Sequence, residues 1–187
     1  MTSPQSPPTQ CDIYVWIDLE TTGIDPVNDH IMEISTIVTD YNLNILSEYD
    51  TRILHLKEDI LLNMDPWCIE QHGKSGLSKY VLESRHYLKE TEDELFEFIS
   101  RIVPEKVGII AGNSVHFDKE FLRHHMPKVF NWLSYKILDV STIKTCMRNW
   151  KPEVPKFRKT YTHRALNDIR ESIQELEYYK KNVFHCF

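Results

Sequence analysis

The 187-residue chain contains no Cys-x-x-Cys pair, and its four cysteines, Cys11, Cys68, Cys146 and Cys186, lie far apart. That spacing speaks against a zinc site and a disulfide framework, and for a reducing compartment. No apolar run approaches the roughly 18 residues of a membrane span, so no membrane partner is expected. There is no positive excess: the net charge is −6. Coating of long nucleic acid through many phosphate contacts is therefore disfavoured, whereas an enzyme taking one or two nucleotides at a time remains open. Residues 1–10 carry no charge and are rich in Pro, Ser, Thr and Gln. They resemble neither a signal peptide nor a basic transit peptide and read as a flexible tail. Residues 11–187 then form a single domain without internal repeats. A cytoplasmic location is expected, with a mitochondrial pool left open.

What is present is an apolar content of 41%, enough for a proper core, and one stretch of unusual chemistry. Tyr14-Val15-Trp16-Ile17-Asp18-Leu19-Glu20-Thr21-Thr22-Gly23 reads as the end of a buried strand, with Ile13, Val15 and Ile17 β-branched. Successive strand side chains alternate faces, so Asp18 and Glu20 share one face and Leu19 takes the other. Two acids side by side at the end of a core strand repel each other and lose hydration. A divalent cation between them would relieve both costs; solvated acids on an exposed strand end are the alternative. Gly23 lets the chain turn.

The remainder alternates strand and helix signals. Residues 25–29 are a turn by composition, 31–39 a second strand, 42–44 a hairpin turn and 45–56 a third strand. Met64-Asp65-Pro66-Trp67 opens a short helix and 75–83 forms another. Between them Trp67 and His72 stand as a candidate base-stacking platform. Thr91 and Glu94 have capping-box spacing before a helical apolar stripe that Pro104 stops. Residues 107–111 form the fourth strand, followed by Gly112-Asn113-Ser114 and a helix from about His116 that Pro127 ends. Residues 136–139 form the fifth strand, with Asp139 or Ser141 capping the next helix. Residues 144–164 hold seven Lys and Arg against one acid, Glu153, a run that is as readily a solvated face as a binding surface. The last helix starts near His163. The order predicts an α/β fold with a mixed sheet.

Two further acids answer the first pair. Asp118 falls in the first turn of the helix after the fourth strand, and Asp168 early in the last helix. Four carboxylates on separate elements could hold two Mg²⁺ roughly 4 Å apart, the arrangement that clamps both oxygens of a phosphoryl displacement. His163, five residues before Asp168, would lie about 140° round a helix from it. It is better placed at the helix mouth, where its pKa suits a general base near neutral pH.

The series Asp18-x-Glu20, Asp118, His163 and Asp168 resembles the motifs of the DEDDh 3′→5′ exonuclease superfamily. Within it the chain looks like the oligoribonuclease family. The matching phrases are Trp16 to Gly23, Gly112-Asn113-Ser114, Leu138-Asp139-Val140-Ser141-Thr142 with Arg148-x-Trp150-Lys151-Pro152, and Asp168-Ile169-Arg170-Glu171-Ser172 with Glu175-Leu176-x-Tyr178-Tyr179.

The resemblance implies a ribonuclease H-like fold: a central mixed five-stranded sheet flanked by helices. It implies a homodimer that cleaves very short RNA, especially dinucleotides, to 5′-mononucleotides, using two divalent ions, Mg²⁺ or Mn²⁺. By the same resemblance Asp18, Glu20 and Asp168 hold one ion, Asp18 with Asp118 the other, and His163 is the general base. Trp67 and His72 hold substrate, and Leu19 wedges between the bases. Ser114, Ser141 and Thr145 cap the 5′-phosphate, joined by Tyr135 and Lys136 of the other subunit. Lys136 stands where Arg is frequent in the family and offers a point charge in place of a bidentate fork. Two rivals are a trimming or proofreading exonuclease on longer RNA or DNA, and an inactive nucleic-acid-binding subunit.

Overall fold

The computed structural model describes residues 12–159 and 164–184. Strands β1 (Ile13–Thr21), β2 (Ile31–Asp40) and β3 (Ile45–Ile53) form an antiparallel meander. Helices α1 (Glu58–Leu62), α2 (Pro66–Ser75), α3 (Leu77–Glu83) and α4 (Leu88–Ile102) lead to β4 (Ile109–Gly112), which runs parallel to β1. Helices α5 (His116–His125) and α6 (Pro127–Trp132) precede β5 (Ile137–Asp139), parallel to β4. Helix α7 (Val140–Trp150) and helix α8 (Ala165–Tyr179) complete the fold, with a π-helical turn at Lys180–Phe184. The sheet order is β3-β2-β1-β4-β5, the mixed five-stranded sheet the sequence predicts.

Both sheet faces are covered, and the pleat of β1 sorts its residues between them. Val15, Ile17 and Leu19 join a core with Leu95 and Ile99 of α4 and Phe121 and Leu122 of α5. Trp16 points the other way, against Val140 and Met147 of α7 and Ile169 and Ile173 of α8. Its indole N–H is satisfied in that dry layer by Thr39 Oγ1 at 3.0 Å, as a buried donor must be. A third cluster (Met32, Leu61, Met64, Cys68, Leu77, Val81) seats α1–α3 against one end of β2.

The length mismatch between strands sets up the site. β1 pairs with β4 only from Tyr14↔Ile109 to Trp16↔Ala111, but with β2 as far as Thr21↔Ile31. The last part of β1 therefore projects past β4, bordered on one side only. In parallel sheets, such crevices beyond the carboxyl ends of strands are where ligands bind.

Three local readings change. Thr91 is not a helix cap: α4 begins a turn earlier, at Leu88, because Leu88 packs on the core. Thr91 is then an interior residue, 1% exposed, whose N–H bonds to the Tyr87 carbonyl at 2.9 Å. Pro127 opens α6 at its first turn, where a missing N–H costs nothing. The third strand stops at Ile53, and Leu54 forms a lone parallel bridge to His86. Among the described residues no helix is long and apolar enough to cross a membrane.

Candidate active site

The even-numbered residues of β1 face α8, so Asp18 and Glu20 lie on the layer that also receives the first turn of α8. That turn carries Asp168. Ligand oxygens of Asp18, Glu20 and Asp168 lie within 4.8 Å of one another. Residues some 150 positions apart in sequence thus converge on one spot. All three carboxylates are partly buried, neither sealed in the core nor fully exposed.

Asp118 arrives from the other side of the strand. It sits in the first turn of α5, 5% exposed, and its Oδ1 accepts the Leu19 N–H at 3.0 Å. That N–H is available because β4 has already ended. The backbone hydrogen bond fixes Asp118 at the lip of the projecting strand.

The acids resist simultaneous ionisation. Burial, then the charges of Glu33, Asp168 and Asp118, push the Glu20 carboxyl up to about 8. Burial raises Asp118 to about 7 against the pull of the Leu19 N–H. Asp18 is raised well above the usual range by burial and by Asp118, Glu20 and Asp168, with Lys159 opposing. Partly dehydrated, mutually repelling carboxylate oxygens within one coordination radius suit a hard divalent cation, whose charge would reverse every one of these shifts. The donor set therefore fits the expected metal dependence.

His72 is buried, at 2% exposure, so it offers no free ring face for stacking. Its Nε2 lies 2.8 Å from the Thr21 carbonyl, which can only accept, so that nitrogen carries the proton. Its Nδ1 stands 3.9 Å from Glu20 Oε2. His72 thus clamps the end of β1 and borders a candidate metal ligand. Trp67, by contrast, is 58% exposed in the first turn of α2, which Asp65 caps by accepting the Trp67 N–H at 2.8 Å. The Leu19 side chain is 7% exposed and belongs to the core on the face opposite the acids.

Asp139 caps α7. Its Oδ1 accepts the N–H groups of Ser141 (2.8 Å) and Ser114 (2.9 Å). Ser114 adopts a left-handed backbone, φ 54°, which is uncommon for serine and is held there by Asp139. The hydroxyls of Ser114 and Ser141 meet at 3.2 Å. Thr145, a turn further on, donates its hydroxyl to the Ser141 carbonyl at 2.9 Å. Tyr135 is 85% exposed just before the edge strand β5, with Lys136 beside it. His163 lies outside the described residues.

Several contributors escape sequence reading. Glu33, opposite Glu20 across the β1–β2 ladder, is 1% exposed and held by Arg164 Nε at 3.1 and 3.3 Å. Arg164 is the N-cap position of α8, so this ion pair pins the start of the helix that carries Asp168. The hint was an acid in the middle of a strand whose only other charge is its last residue, Asp40. Gly23 has an ordinary backbone, but a Cβ there would meet the Asp29 carboxylate at 2.3 to 2.6 Å. That carboxylate accepts Thr22 Oγ1 and the Asp25 N–H, both at 2.9 Å, so glycine serves close approach, not a special φ.

This fold, with acids from β1, α5 and α8 around one cleft, defines a class. The exonuclease family model (RNase T type) matches residues 15–176. Exonuclease I of Methylocaldum szegediense superposes with a TM-score of 0.73 at 22% identity, covering 94% of this chain and 42% of that one. A zinc-bound complex of Escherichia coli exonuclease I with single-stranded DNA gives 0.73 at 20% identity and the same coverages. The chain thus spans about two fifths of those proteins, and they define the fold alone. Two relatives are nearer. An oligoribonuclease of Pseudomonas savastanoi is 48% identical over 168 residues, 90% of this chain and 94% of that protein. A mitochondrial oligoribonuclease of Mus musculus is 46% identical over 172 residues, 91% of this chain and 73% of that protein. The chain belongs to the oligoribonucleases, within the DEDDh exonuclease superfamily.

Proposed function

We infer that the protein is a metal-dependent 3′→5′ exoribonuclease that hydrolyses very short RNA, dinucleotides above all, to 5′-mononucleotides. The observation that carries this reading is the convergence of Asp18, Glu20 and Asp168 within 4.8 Å, beside Asp118, in a chain with oligoribonuclease relatives. Asp18, Glu20 and Asp168 hold one divalent ion; Asp18 and Asp118 hold a second. Mg²⁺ or Mn²⁺ bound there supplies positive charge against the phosphodiester as negative charge develops in displacement. His163 takes the proton of the attacking water. Trp67 gives a base an exposed aromatic face, which is blind to base identity. His72 holds the end of β1 and orients Glu20. By the family resemblance, Leu19 wedges between the two bases of the dinucleotide.

Ser114, Ser141 and Thr145 receive the 5′-phosphate through their hydroxyls, beside the N-terminus of α7, whose dipole favours an anion. The protein acts as a homodimer in which Tyr135 and Lys136 complete the partner's phosphate cap. Support comes from the exposed Tyr135 and Ile137 at the short edge strand β5. A site closed over the 5′ end needs few phosphate contacts, in keeping with a net charge of −6. A cytoplasmic location fits the reducing chemistry of the free Cys68 and Cys146; a mitochondrial pool fits the name of the mouse relative.

Single-turnover cleavage of 5′-labelled RNA from two to seven nucleotides, with Mg²⁺ and Asp18→Ala as control, tests this. Fast cleavage at two nucleotides and a sharp fall beyond is the expected result. Equal rates at all lengths, or preference for long single-stranded DNA, would replace it with a trimming exonuclease. Intact dinucleotide would overturn the enzymatic reading.

A further inference from the structure

Behind the hydroxyls of the proposed phosphate cap lies a buried polar relay that the catalytic reading leaves unused. Glu175 of α8 is fully buried. Burial alone would raise its carboxyl, but the Tyr179 hydroxyl, Lys159, Asn113 and Lys144 outweigh it and hold it below the usual range. Tyr179 donates to Oε1 at 2.7 Å and Asn113 Nδ2 to Oε2 at 3.1 Å. The ammonium groups of Lys144 and Lys159 each lie 3.3 Å from the carboxylate. Lys159, with only 9% of its side chain exposed, also donates to Asn113 Oδ1 at 2.7 Å and to Ser172 Oγ at 3.2 Å.

The direction of each bond is forced. An ammonium only donates and a carboxylate only accepts. Asn113 must therefore turn its oxygen to Lys159 and its NH₂ to Glu175; the flipped amide would set oxygen against carboxylate and NH₂ against ammonium. With the amide locked, Nδ2 also donates to Ser141 Oγ at 3.3 Å, and Ser114 Oγ donates to the same oxygen at 3.2 Å. A hydroxyl has two lone pairs and one proton. Both lone pairs of Ser141 are occupied, and only its proton is left to give. Thr145 is committed the other way, its proton already on the Ser141 carbonyl.

We propose that Asn113, locked by Lys159 and Glu175, is a positioning residue that makes Ser141 an obligate donor, and thereby makes the 5′-terminal subsite select a phosphate over a hydroxyl. This rests on the phosphate-cap reading above. A terminal phosphate accepts that proton in a charge-assisted bond, roughly twice as strong as a neutral one; a terminal hydroxyl forms only the weaker bond.

The test compares kcat/KM for a dinucleotide bearing a 5′-phosphate with the same dinucleotide bearing a 5′-hydroxyl. Asn113→Leu keeps the side-chain shape and leaves the Lys159–Glu175 contact in place. It should lower the phosphate preference about tenfold, the size of one hydrogen bond to a charged group, through KM. Turnover of the 5′-hydroxyl dinucleotide should stay within about twofold, since that end lacks the charge-assisted bond. Ser141→Ala should lower the preference to a similar extent, and adding Asn113→Leu to it should change nothing more, since residues acting through one bond are not additive. Multiplying effects, or an Asn113→Leu enzyme with wild-type preference, would overturn the proposal. If Asn113→Leu melts too low to assay, Glu175→Gln removes the charge that locks the amide, and a wild-type preference there is equally fatal. A wild-type enzyme indifferent to the 5′ end would instead defeat the phosphate-cap reading itself.

Discussion

Raising the pH of the metal-free protein from about 5.5 to about 8.5 should destabilise it, because burial and like charges hold its acids protonated in the fold. The sign follows from the carboxyls. Glu20 titrates at about 8 in the fold and at 4.5 as a free side chain, and Asp118 at about 7 against 3.8. A raised carboxyl contributes stability below its unfolded pKa, and that contribution is lost as pH climbs to its folded one. For Glu20 about 2.5 units of that gap lie between pH 5.5 and its folded value of about 8, at roughly 1.4 kcal/mol each, so about 3.5 kcal/mol is lost over this range. Asp118 feels part of the same field, so its share does not add in full. At about 2–4 °C per kcal/mol for a domain of this size, the melting temperature should fall by roughly 7–14 °C. Millimolar Mg²⁺ or Mn²⁺ should restore most of it at the upper pH and little at the lower, where protons compete for the ligands; saturation at about 100 times Kd contributes about 2.7 kcal/mol. Thermal melts across that range, with EDTA and with metal, measure both slopes. Asp18→Asn removes one repelling charge and should flatten the metal-free curve. A metal-free melting temperature that is level or rises with pH would refute the account of the carboxylate floor.

Other perturbations separate the remaining roles. Arg164→Met leaves the buried Glu33 without its cation and should cost about 3 kcal/mol, with Glu33→Gln/Arg164→Met recovering most of it; a urea melt decides, and an unaffected single variant would remove Arg164 as the anchor of α8. Trp67→Ala should leave stability within about 0.5 kcal/mol, the side chain being 58% exposed, but raise KM for the dinucleotide about 5- to 100-fold through lost stacking; an unchanged KM takes Trp67 out of the site. His163→Ala should slow single-turnover cleavage by about 10²–10⁴ while metal still stabilises the protein. Near-normal turnover would assign the proton to another group.

The alternation along β1 and the spacing of the later acids made the convergence of the carboxylates legible, because strand and first-turn positions fix where a side chain can point. Asp18, Glu20 and Asp168 needed only the correct elements to converge, and those elements were marked by β-branched runs, turn residues and prolines. The supporting shell was less legible. Glu33 with Arg164, and Asn113 with Lys159 and Glu175, are pairings across distant elements that no local period encodes. Thr91 shows the reverse error: its spacing to Glu94 matched a cap, but the burial of Leu88 favoured an earlier helix start. The environment of His72 was hidden too, since a lone histidine in a polar helix gives no sign that its ring is buried against the Thr21 carbonyl.

The first strand and last helix described supply the two halves of the carboxylate cluster, Asp18 and Glu20 from one and Asp168 from the other. A ribosome making this chain has finished the strand long before the helix emerges. Until α8 docks on β1 and β2, the nascent protein holds two repelling acids and no closed ligand set. On the proposed metal reading, a chain truncated ahead of α8 should not cleave.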